Sequence, residues 1–385
     1  MTPLLALAAS LIGQTPPAVV SPATPAMPNF SPGPAYADRE RMHQGMPSLE
    51  RAKNGRLWTA WYGGGVGEDD QNYVMLSTSG DDGRTWTGLK LVIDPDGLGP
   101  VRAFDPALWH DPQGRMWLFW GQMVRKAGQK DGIEMHNFAM HTGDSGKSDP
   151  VWSKPRRISV GVMLNKPTVL GNGTWLMPTC VWRDEKSSRV LQSTDHGETF
   201  TTIGTATIPV YEDRNGDENM IVERRDGSLW MLVRTRYGIG ESSSTDRGGT
   251  WSIVKPSAIP HAESRFFIRR LRSGRLLLVR HDAPRIAQRS HLTAFLSGDD
   301  GRSWSKGLLI DERMGVSYPD GVEGPAGRIH LVYDYGRRTD KQILMSVFHE
   351  RDVANGRFGK DARLRVVVNQ ASGKNPTVSG SAAKN

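Results

Sequence analysis

The chain has 385 residues, of which 37% are hydrophobic and 23% charged, with 43 glycines and 24 prolines. This composition suits many short strands and tight turns and argues against a protein built of long helices. The 49 basic and 41 acidic residues give a net charge of +8, which favours an anionic ligand, although a solubilising surface charge accounts for it equally well. Because the basic residues are scattered, we expect no nucleic-acid partner.

The chain opens with an apolar run, Leu4 to Ile12, followed by a segment rich in proline, alanine and threonine. This pattern is typical of a secretory signal and a linker, which we place at residues 1–30, although no Lys or Arg precedes the run. The alternative interpretation is a disordered tail. A secretory signal predicts a periplasmic or secreted protein, and no other apolar run is long enough to span a membrane.

A glycine that begins an apolar strand pattern recurs six times along the chain. Successive copies are 59, 59, 54, 47 and 53 residues apart and begin at Gly55, Gly114, Gly173, Gly227, Gly274 and Gly327. Each repeat has room for four short strands, so we predict an all-β, six-bladed β-propeller of four-stranded antiparallel blades over residues 31–370. Seven blades are the alternative if the termini build another. Residues 371–385 are small and polar, which indicates a flexible tail.

A second repeat has the pattern Ser-x-Asp-x-Gly-x-Thr/Ser-aromatic, and its four full copies lie at residues 79–86, 193–200, 244–251 and 297–304. The aspartate can accept hydrogen bonds from the N–H groups of a tight turn, and the glycine can adopt the positive φ that the turn requires. A degenerate copy, 142–146, falls in the second repeat. The sixth repeat has a third strand at 342–349 and a late strand at 363–368 without the motif. We therefore interpret the motif as a structural turn.

This motif resembles the Asp-box of the sialidase-like, or BNR-repeat, β-propellers, and the resemblance spans roughly Asp38 to Gly356. The resemblance implies a closed ring of blades in which the Asp-boxes lie away from the substrate face. In such a ring we expect the ligand site where the inner strands meet the central axis.

One position in each repeat is a candidate for the lining of that axis. This position lies in the strand before each turn glycine, directly before a residue that is often proline. The six residues at this position are Met46, Asp105, Lys166, Glu218, Arg265 and Tyr318. Five of the six are polar or ionisable although their strands are otherwise apolar, and buried charges are costly unless they are paired. A cluster that converges on one site is the simplest account. Two arginines that end second strands, Arg234 and Arg280, suit planar recognition of a carboxylate.

The positions of these residues are similar to the catalytic layout of the sialidases. The resemblance implies that Tyr318 is the nucleophile, that Glu218 activates it, and that Asp70, in the loop before the first Asp-box, is the acid/base. A tyrosine nucleophile suits an anionic sugar because it repels the substrate less than a carboxylate does. Arg234 and Arg280 would be two of the three arginines that bind the carboxylate of the sugar.

One family feature is missing, since sialidases carry an arginine in a Phe-Arg-Ile-Pro segment of the first blade and the matching segment here, 42–47, has none. Residues 43–45, 72–76 and 94–106 look closer to a second branch of Asp-box propellers, which act on rhamnose linked to glucuronate by lyase or hydrolase chemistry centred on a histidine. In that interpretation His43 takes a proton from the uronate and a cation holds its carboxylate. The candidate cations are Arg102, Lys166, Arg265 and Arg280, and further candidates for substrate binding are Gln44, Asp105 and Asp320.

We therefore expect an exported enzyme of the sialidase-like superfamily that cleaves a terminal glycosidic bond of a glycan containing sialic or uronic acid. The alternatives are a rhamnosyl-glucuronate lyase or rhamnosidase and a non-catalytic glycan-binding propeller. We expect no cofactor and no metal, because the single cysteine, Cys180, has no partner for a disulfide or a zinc site. The expected partner is an anionic glycan or oligosaccharide, and the sequence leaves the oligomeric state open.

Overall fold

The computed structural model describes residues 20–125, 133–182, 187–285 and 288–374. Within these ranges 24 strands form six four-stranded sheets, and each sheet consists of four strands that are consecutive in the chain and antiparallel to one another. The sheets stand as blades in a ring. The prediction of a six-bladed β-propeller is therefore confirmed, and the described residues build six blades rather than seven.

In each blade the first strand lies nearest the axis and the fourth strand lies at the outer edge. Blade 1 contains β1 (His43–Arg51), β2 (Leu57–Gly64), β3 (Asn72–Ser79) and β4 (Leu91–Ile93). Blade 2 contains β5 (Arg102–His110), β6 (Met116–Arg125), β7 (Ile133–Thr142) and β8 (Arg156–Val160). Blade 3 contains β9 (Thr168–Val169), β10 (Trp175–Val181), β11 (Ser187–Ser193) and β12 (Thr201–Ala206).

The second half of the ring repeats this plan. Blade 4 contains β13 (Arg214–Glu223), β14 (Leu229–Thr235), β15 (Gly238–Ser244) and β16 (Lys255–Pro256). Blade 5 contains β17 (Phe267–Arg270), β18 (Leu276–His281), β19 (Leu292–Ser297) and β20 (Leu308–Asp311). Blade 6 contains β21 (Val316–Glu323), β22 (Arg328–Tyr335), β23 (Gln342–His349) and β24 (Arg363–Gln370). The described residues add one helix, α1 (Glu350–Asn355), and short 3-10 turns at Pro34–Tyr36, Asp38–Glu40, Tyr211–Asp213 and Pro325–Gly327.

The repeated glycines form the turns between the first and second strands of the blades. Gly55 has a φ of 98°, and its five equivalents also lie in the left-handed region. The N–H of Gly55 donates to the carbonyl of Ala52 at 2.9 Å and closes the turn. Because a side chain is strained at this φ, the spacing of the glycines follows from the backbone geometry of the turns.

The Asp-box is a hydrogen-bonded turn between the third and fourth strands. In the first copy Oγ of Ser79 donates to Oδ1 of Asp81 at 2.7 Å and accepts from the N–H of Gly83 at 2.8 Å. Asp81 also accepts from the N–H and the hydroxyl of Thr85, at 2.9 and 2.6 Å. The same serine–aspartate–threonine or serine pattern recurs in the other three copies, so the predicted turn role is confirmed.

The strand registers define two faces of the ring. Arg51 pairs with Leu57, and Leu57 pairs with Ser79, so the glycine turns and the Asp-boxes share one face. At the opposite end His43 pairs with Gly64, and Gly64 pairs with Asn72. The starts of the first strands therefore lie beside the loops between second and third strands, on what we call the site face.

Aromatic side chains pack between neighbouring blades. Trp175 of blade 3 lies edge-on to Trp109 and Trp117 of blade 2, with ring centroids 4.8 and 6.0 Å apart. All three are buried. Such pairs combine a large buried apolar area with favourable edge-to-face geometry, and they hold the blades in register around the axis.

The two ends of the described chain meet where the ring closes. The N–H of Ser372 donates to the carbonyl of Asp38 at 2.8 Å, and Asn29 forms a bridge to Val92 at the outer edge of blade 1. The predicted late strand is the outer strand of blade 6. Most of the predicted signal segment, 1–19, and most of the predicted tail, 375–385, lie outside the described residues. No helix in the described ranges is long and apolar enough to cross a membrane.

Candidate active site

Bulges near the starts of first strands turn side chains toward the axis. The register shifts between Gly45 and Ser48 in β1, and β5, β13 and β21 shift at the equivalent level. Met46, Asp105 and Tyr318, each followed by proline, have φ of 55°, 47° and 53°. A non-glycine residue with this φ stores about 1–3 kcal/mol of strain, and such strain concentrates at functional sites. The bulge re-aims the side chain, which is the reason that the residue before the landmark marks the axis.

The side chains aimed in this way line a cavity of about 440 Å³, which we call the central cavity. Five of the predicted site residues line it, namely Arg102, Asp105, Glu218, Arg234 and Tyr318. They come from blades 2, 4 and 6, so residues more than 200 positions apart in the chain meet only because the ring closes.

Tyr318, Glu218 and Arg234 form one hydrogen-bonded group on the wall of the central cavity. Nη1 of Arg234 donates to Oε1 of Glu218 at 2.7 Å and to the phenol oxygen of Tyr318 at 3.0 Å. All three side chains are buried. Burial disfavours a charged arginine, but the neighbouring Glu218 and Tyr318 raise the pKa of Arg234 above its ordinary value. The cation therefore persists and holds the phenol and the carboxylate in a fixed arrangement.

Four guanidinium groups surround the ring of Tyr318. Their Cζ atoms lie 5.0 Å (Arg337), 5.5 Å (Arg265), 5.5 Å (Arg289) and 5.8 Å (Arg234) from the ring centroid. Arg234, Arg289 and Arg337 also line the central cavity. Arginine forks suit planar anions, so this side of the cavity can bind a carboxylate next to the tyrosine oxygen.

Asp105 is a second distinctive carboxyl group of the central cavity. It is 2% exposed, and its Oδ1 is buried without a hydrogen-bond partner among the described residues. Burial, followed by the charge of Glu218, raises the pKa of Asp105 to about 8. At neutral pH this carboxyl group is therefore protonated and can donate a hydrogen bond or a proton.

The family model for a BNR repeat-like domain matches residues 55–331, which is more than half of the chain. The chain belongs to this BNR repeat-like family. Solved structures that share its fold include the Hadza microbial sialidase Hz136, at 18% identity and a TM-score of 0.65, covering 82% of this chain and 67% of that one. Among curated proteins no sequence matches the chain.

Two further structures extend the comparison. The intramolecular trans-sialidase from Ruminococcus gnavus, in complex with oseltamivir carboxylate, is 17% identical with a TM-score of 0.61, over 83% of this chain and 97% of that one. A protein of unknown function from Dyadobacter fermentans is 18% identical with a TM-score of 0.60, over 78% of this chain and 93% of that one. At these identities the likeness establishes the fold alone, a six-bladed β-propeller.

In this BNR repeat-like propeller Arg337, from the last blade, occupies the space of the arginine that the first blade lacks. If Pro47 is aligned with the proline of Phe-Arg-Ile-Pro, the family arginine falls on Gly45. A Cβ atom on Gly45 would lie 2.8 Å from Cγ of Arg337 and closer still to its Cδ. Arg337 also forms an ion pair with Glu68 in the loop between β2 and β3. The space of the missing side chain is thus filled by Arg337, which follows β22.

His43 does not line the central cavity but a neighbouring one of about 360 Å³, which we call the side pocket. Burial, followed by the charge of Arg337, lowers the pKa of His43 to about 4, so its ring is neutral at pH 7. Its Nδ1 is buried without a hydrogen-bond partner among the described residues. The role of His43 as a base stays a hypothesis, as does the resemblance to rhamnosyl-glucuronate enzymes.

The structure does not bring three other predicted residues into the central cavity. Asp70 is 43% exposed, with Oδ1 3.5 Å from Nη1 of Arg125, and its neighbour Glu68 lines the cavity instead. Gln44 is buried and accepts a hydrogen bond from Nε1 of Trp61 at 3.0 Å. Arg280 donates to the carbonyl of its neighbour His281 at 2.7 Å and lies over the ring of Phe295.

Lys166 and Asp320 belong to a buried polar network on the axis, not to the lining of the central cavity. Nζ of Lys166 lies 3.1 Å from Oδ2 of Asp320 and donates to the carbonyl oxygens of Leu49 and Leu108 at 2.5 and 2.6 Å. Asp320 also accepts from Oγ of Ser48 at 2.7 Å. Their hydrogen bonds are satisfied by protein groups from several blades, which explains why these charges can be buried.

Arg265 has a similar structural position directly beneath Tyr318. Its guanidinium donates to the carbonyl oxygens of Leu164, Pro47 and Tyr318 at 2.8, 3.1 and 3.3 Å. It joins the backbones of three blades and supports the bulge that carries the tyrosine. The sequence signal for a buried cation was correct, but its hydrogen-bonding groups point to backbone rather than to the central cavity.

Several residues of the central cavity had weak sequence signals. Glu68 was overlooked beside Asp70, and Arg289 lies in a loop after β18 rather than at a strand end. Arg337 lies in the loop between β22 and β23, outside the strand positions that the repeat aligns. The described residues contain no group of His, Cys, Asp and Glu side chains that could hold a metal ion.

Proposed function

We propose that this protein is an exo-acting glycosidase that removes a terminal sialic acid, or a related sugar with a carboxylate at the anomeric carbon. The observation that carries the proposal is the group formed by Tyr318, Glu218 and Arg234, surrounded by arginines. Such an anion-binding wall next to a tyrosine suits a substrate whose carboxylate is attached to the carbon under attack.

In the proposed reaction Arg234, Arg289 and Arg337 bind the carboxylate of the sugar. Their positive charge orients the anomeric carbon toward the phenol oxygen of Tyr318. The tyrosine oxygen forms a bond to that carbon, Glu218 accepts the phenol proton, and the bond to the leaving oxygen breaks. A water molecule then hydrolyses the glycosyl-tyrosine intermediate and releases the sugar.

The leaving oxygen needs a proton, and we assign its donation to Asp105. Asp105 lines the central cavity, and its carboxyl group holds a proton at neutral pH because its pKa is raised to about 8. Glu68 also lines the cavity, but it is paired with Arg337, which lowers its pKa against the opposing effect of burial. Asp70, the alternative from the sequence, is half exposed and has an ion pair with Arg125.

A panel of substrates tests this assignment with matched variants. Wild-type protein, Tyr318→Phe and Glu218→Gln are assayed on an aryl α-sialoside, with Tyr36→Phe and Glu223→Gln as controls away from the central cavity. We expect turnover by the wild type and the controls, and a loss of at least about 10²-fold in kcat for the two site variants. Full activity of Tyr318→Phe would overturn the proposal.

One observation favours a second candidate, a lyase that acts on rhamnosyl-glucuronate. His43 lies in the side pocket with Arg337 and Arg338, so a candidate base adjoins two cations that can bind the carboxylate of a uronate. The assay is a search for the unsaturated uronate product by its far-ultraviolet absorbance, with His43→Ala as the test variant. Binding on a glycan array without turnover of any substrate would instead identify a glycan-binding propeller.

The N-terminal sequence bears on the cellular location of the protein. We propose export to the periplasm or the outside of the cell, because residues 1–30 have the pattern of a secretory signal and a linker. Mass spectrometry of the N-terminus of the protein recovered from its native host checks this point. An intact Met1 or Thr2 on the mature protein would contradict it.

A further inference from the structure

The side pocket adjoins the central cavity and shares a wall with it. Glu68, Arg289 and Arg337 line both cavities. The side pocket is completed by His43 from blade 1 and by Arg338 from the loop after β22. A ligand in the central cavity is therefore adjacent to the groups that line the side pocket.

The side pocket carries an excess of positive charge. Three arginines and one carboxylate line it, and Arg337 is paired with that carboxylate. Arg338 has neither a hydrogen bond nor an ion pair with any residue in the described part of the chain. Its Nη2 lies 2.8 Å from the position that a Cβ on Gly67 would take, so the guanidinium packs against the loop of Glu68. An unpaired cation held at the edge of a cavity is available to an anion.

His43 adds an independent observation at the other side of the pocket. Its side chain is 1% exposed, and its buried Nδ1 has no partner among the described residues. A buried polar atom without a partner is destabilising, so a ligand that supplied a hydrogen bond to this nitrogen would bind favourably. The lining of the pocket thus includes an unpaired cation and a histidine whose buried Nδ1 has no partner among the described residues.

We propose that the side pocket binds a second anionic group of the substrate, a carboxylate or a sulfate on the sugar next to the terminal one. This inference rests on the proposed function, because it takes the first carboxylate to lie beside Tyr318. The second group would contact Arg338 and Arg289, with His43 as an additional partner. The preferred substrate class is then a glycan with two acidic sugars in sequence, or an acidic sugar followed by a sulfated one.

The test compares substrates that share the terminal sialic acid and differ in the charge of the sugar next to it. One glycan carries terminal sialic acid on a neutral galactose, a second carries it on a sulfated galactose, and a third carries it on another sialic acid. We measure the ratio of kcat/KM for each doubly charged glycan to that for the singly charged one. The wild type is expected to favour at least one of the charged forms by about 10- to 100-fold, a preference that Arg338→Ala should abolish, and the preferred form identifies carboxylate or sulfate as the natural group.

Arg338→Ala is the test variant, and Arg302→Ala, an exposed arginine of an Asp-box on the opposite face, is the control. Arg338→Ala should lower the ratio about 10- to 100-fold, whereas Arg302→Ala should leave it unchanged. A wild-type ratio near one, or an equal effect of both variants, would overturn the inference. Turnover of an aryl α-sialoside reports separately on the proposed function. Should no substrate turn over, the same comparison is made by calorimetric binding of the three glycans.

Discussion

Replacement of Arg337 by alanine tests whether the arginines next to Tyr318 bind the carboxylate of the substrate. The change removes a guanidinium 5.0 Å from the ring of Tyr318 and breaks the ion pair with Glu68. A hydrogen bond to a charged group contributes about 1.5–3 kcal/mol. Since 1.36 kcal/mol corresponds to a factor of ten, kcat/KM for an aryl α-sialoside should fall about 10- to 150-fold. Glu68 is 41% exposed, so water can solvate its charge and we expect a stability loss below about 1 kcal/mol.

The assay is steady-state kinetics on an aryl α-sialoside, with the thermal midpoint recorded for each variant. Because the carboxylate is bound in the ground state and in the transition state, most of the loss should appear as a higher KM. Arg337→Lys keeps the charge without the planar fork, and we expect an intermediate loss. Arg302→Ala, on the opposite face, serves as the control for a lost arginine.

Substitution of Gly45 tests whether Arg337 acts at the substrate. Gly45→Ala places a methyl group 2.8 Å from Cγ of Arg337, so the arginine must move and kcat/KM should fall. In an Arg337→Ala background only the contact with Oδ2 of Asp334, also at 2.8 Å, remains, so the same change should cost less, with a coupling of about 0.5–3 kcal/mol. Equal costs in both backgrounds, or full activity of Arg337→Ala, would show that Arg337 does not act at the substrate.

Two further predictions concern Asp105 and Lys166. The raised pKa of Asp105, about 8, means that folding favours its protonated form, so wild-type stability should fall between about pH 4 and pH 8 by up to 1.4 kcal/mol per unit. Asp105→Asn lacks this dependence, so its thermal midpoint should rise relative to that of the wild type as pH increases. The decrease of kcat/KM near pH 8 that is expected of the wild type should be absent in this variant. A difference in thermal midpoint that does not change with pH would contradict a buried, protonated Asp105. Lys166→Met leaves Asp320 and Glu50 buried without their cation, so the free energy of unfolding in urea should fall by about 3–5 kcal/mol, with Lys360→Met as a neutral control. An undiminished unfolding free energy would place Lys166 outside the structural network.

The blade count could be predicted from the sequence because its signals are local. Gly55 and its equivalents need a left-handed backbone within a single turn, and Asp81 bonds to residues only four positions away. Neither feature depends on the rest of the fold. The positions of Tyr318 and Asp105 were also predictable, since the bulge and the following proline are local to their strands.

Which arginines surround Tyr318 depended on the tertiary structure. Arg280 and Arg234 are the penultimate residues of equivalent strands, yet Arg280 is bound by neighbouring carbonyl and carboxylate groups whereas Arg234 reaches Tyr318 across the ring. Arg289 and Arg337 come from loops whose lengths differ between blades, so no register in the sequence aligns them.

Sequence alone predicted six blades, with seven as the alternative, and it determined the turns that join the strands and the strand position that faces the axis, because these follow from backbone requirements within a few residues. Only the closed ring decided which charged groups meet and in which protonation state. Asp105 holds a proton because burial and Glu218, more than 100 positions away, act on it together. Arg337 occupies the space above Gly45 because the last blade packs against the first.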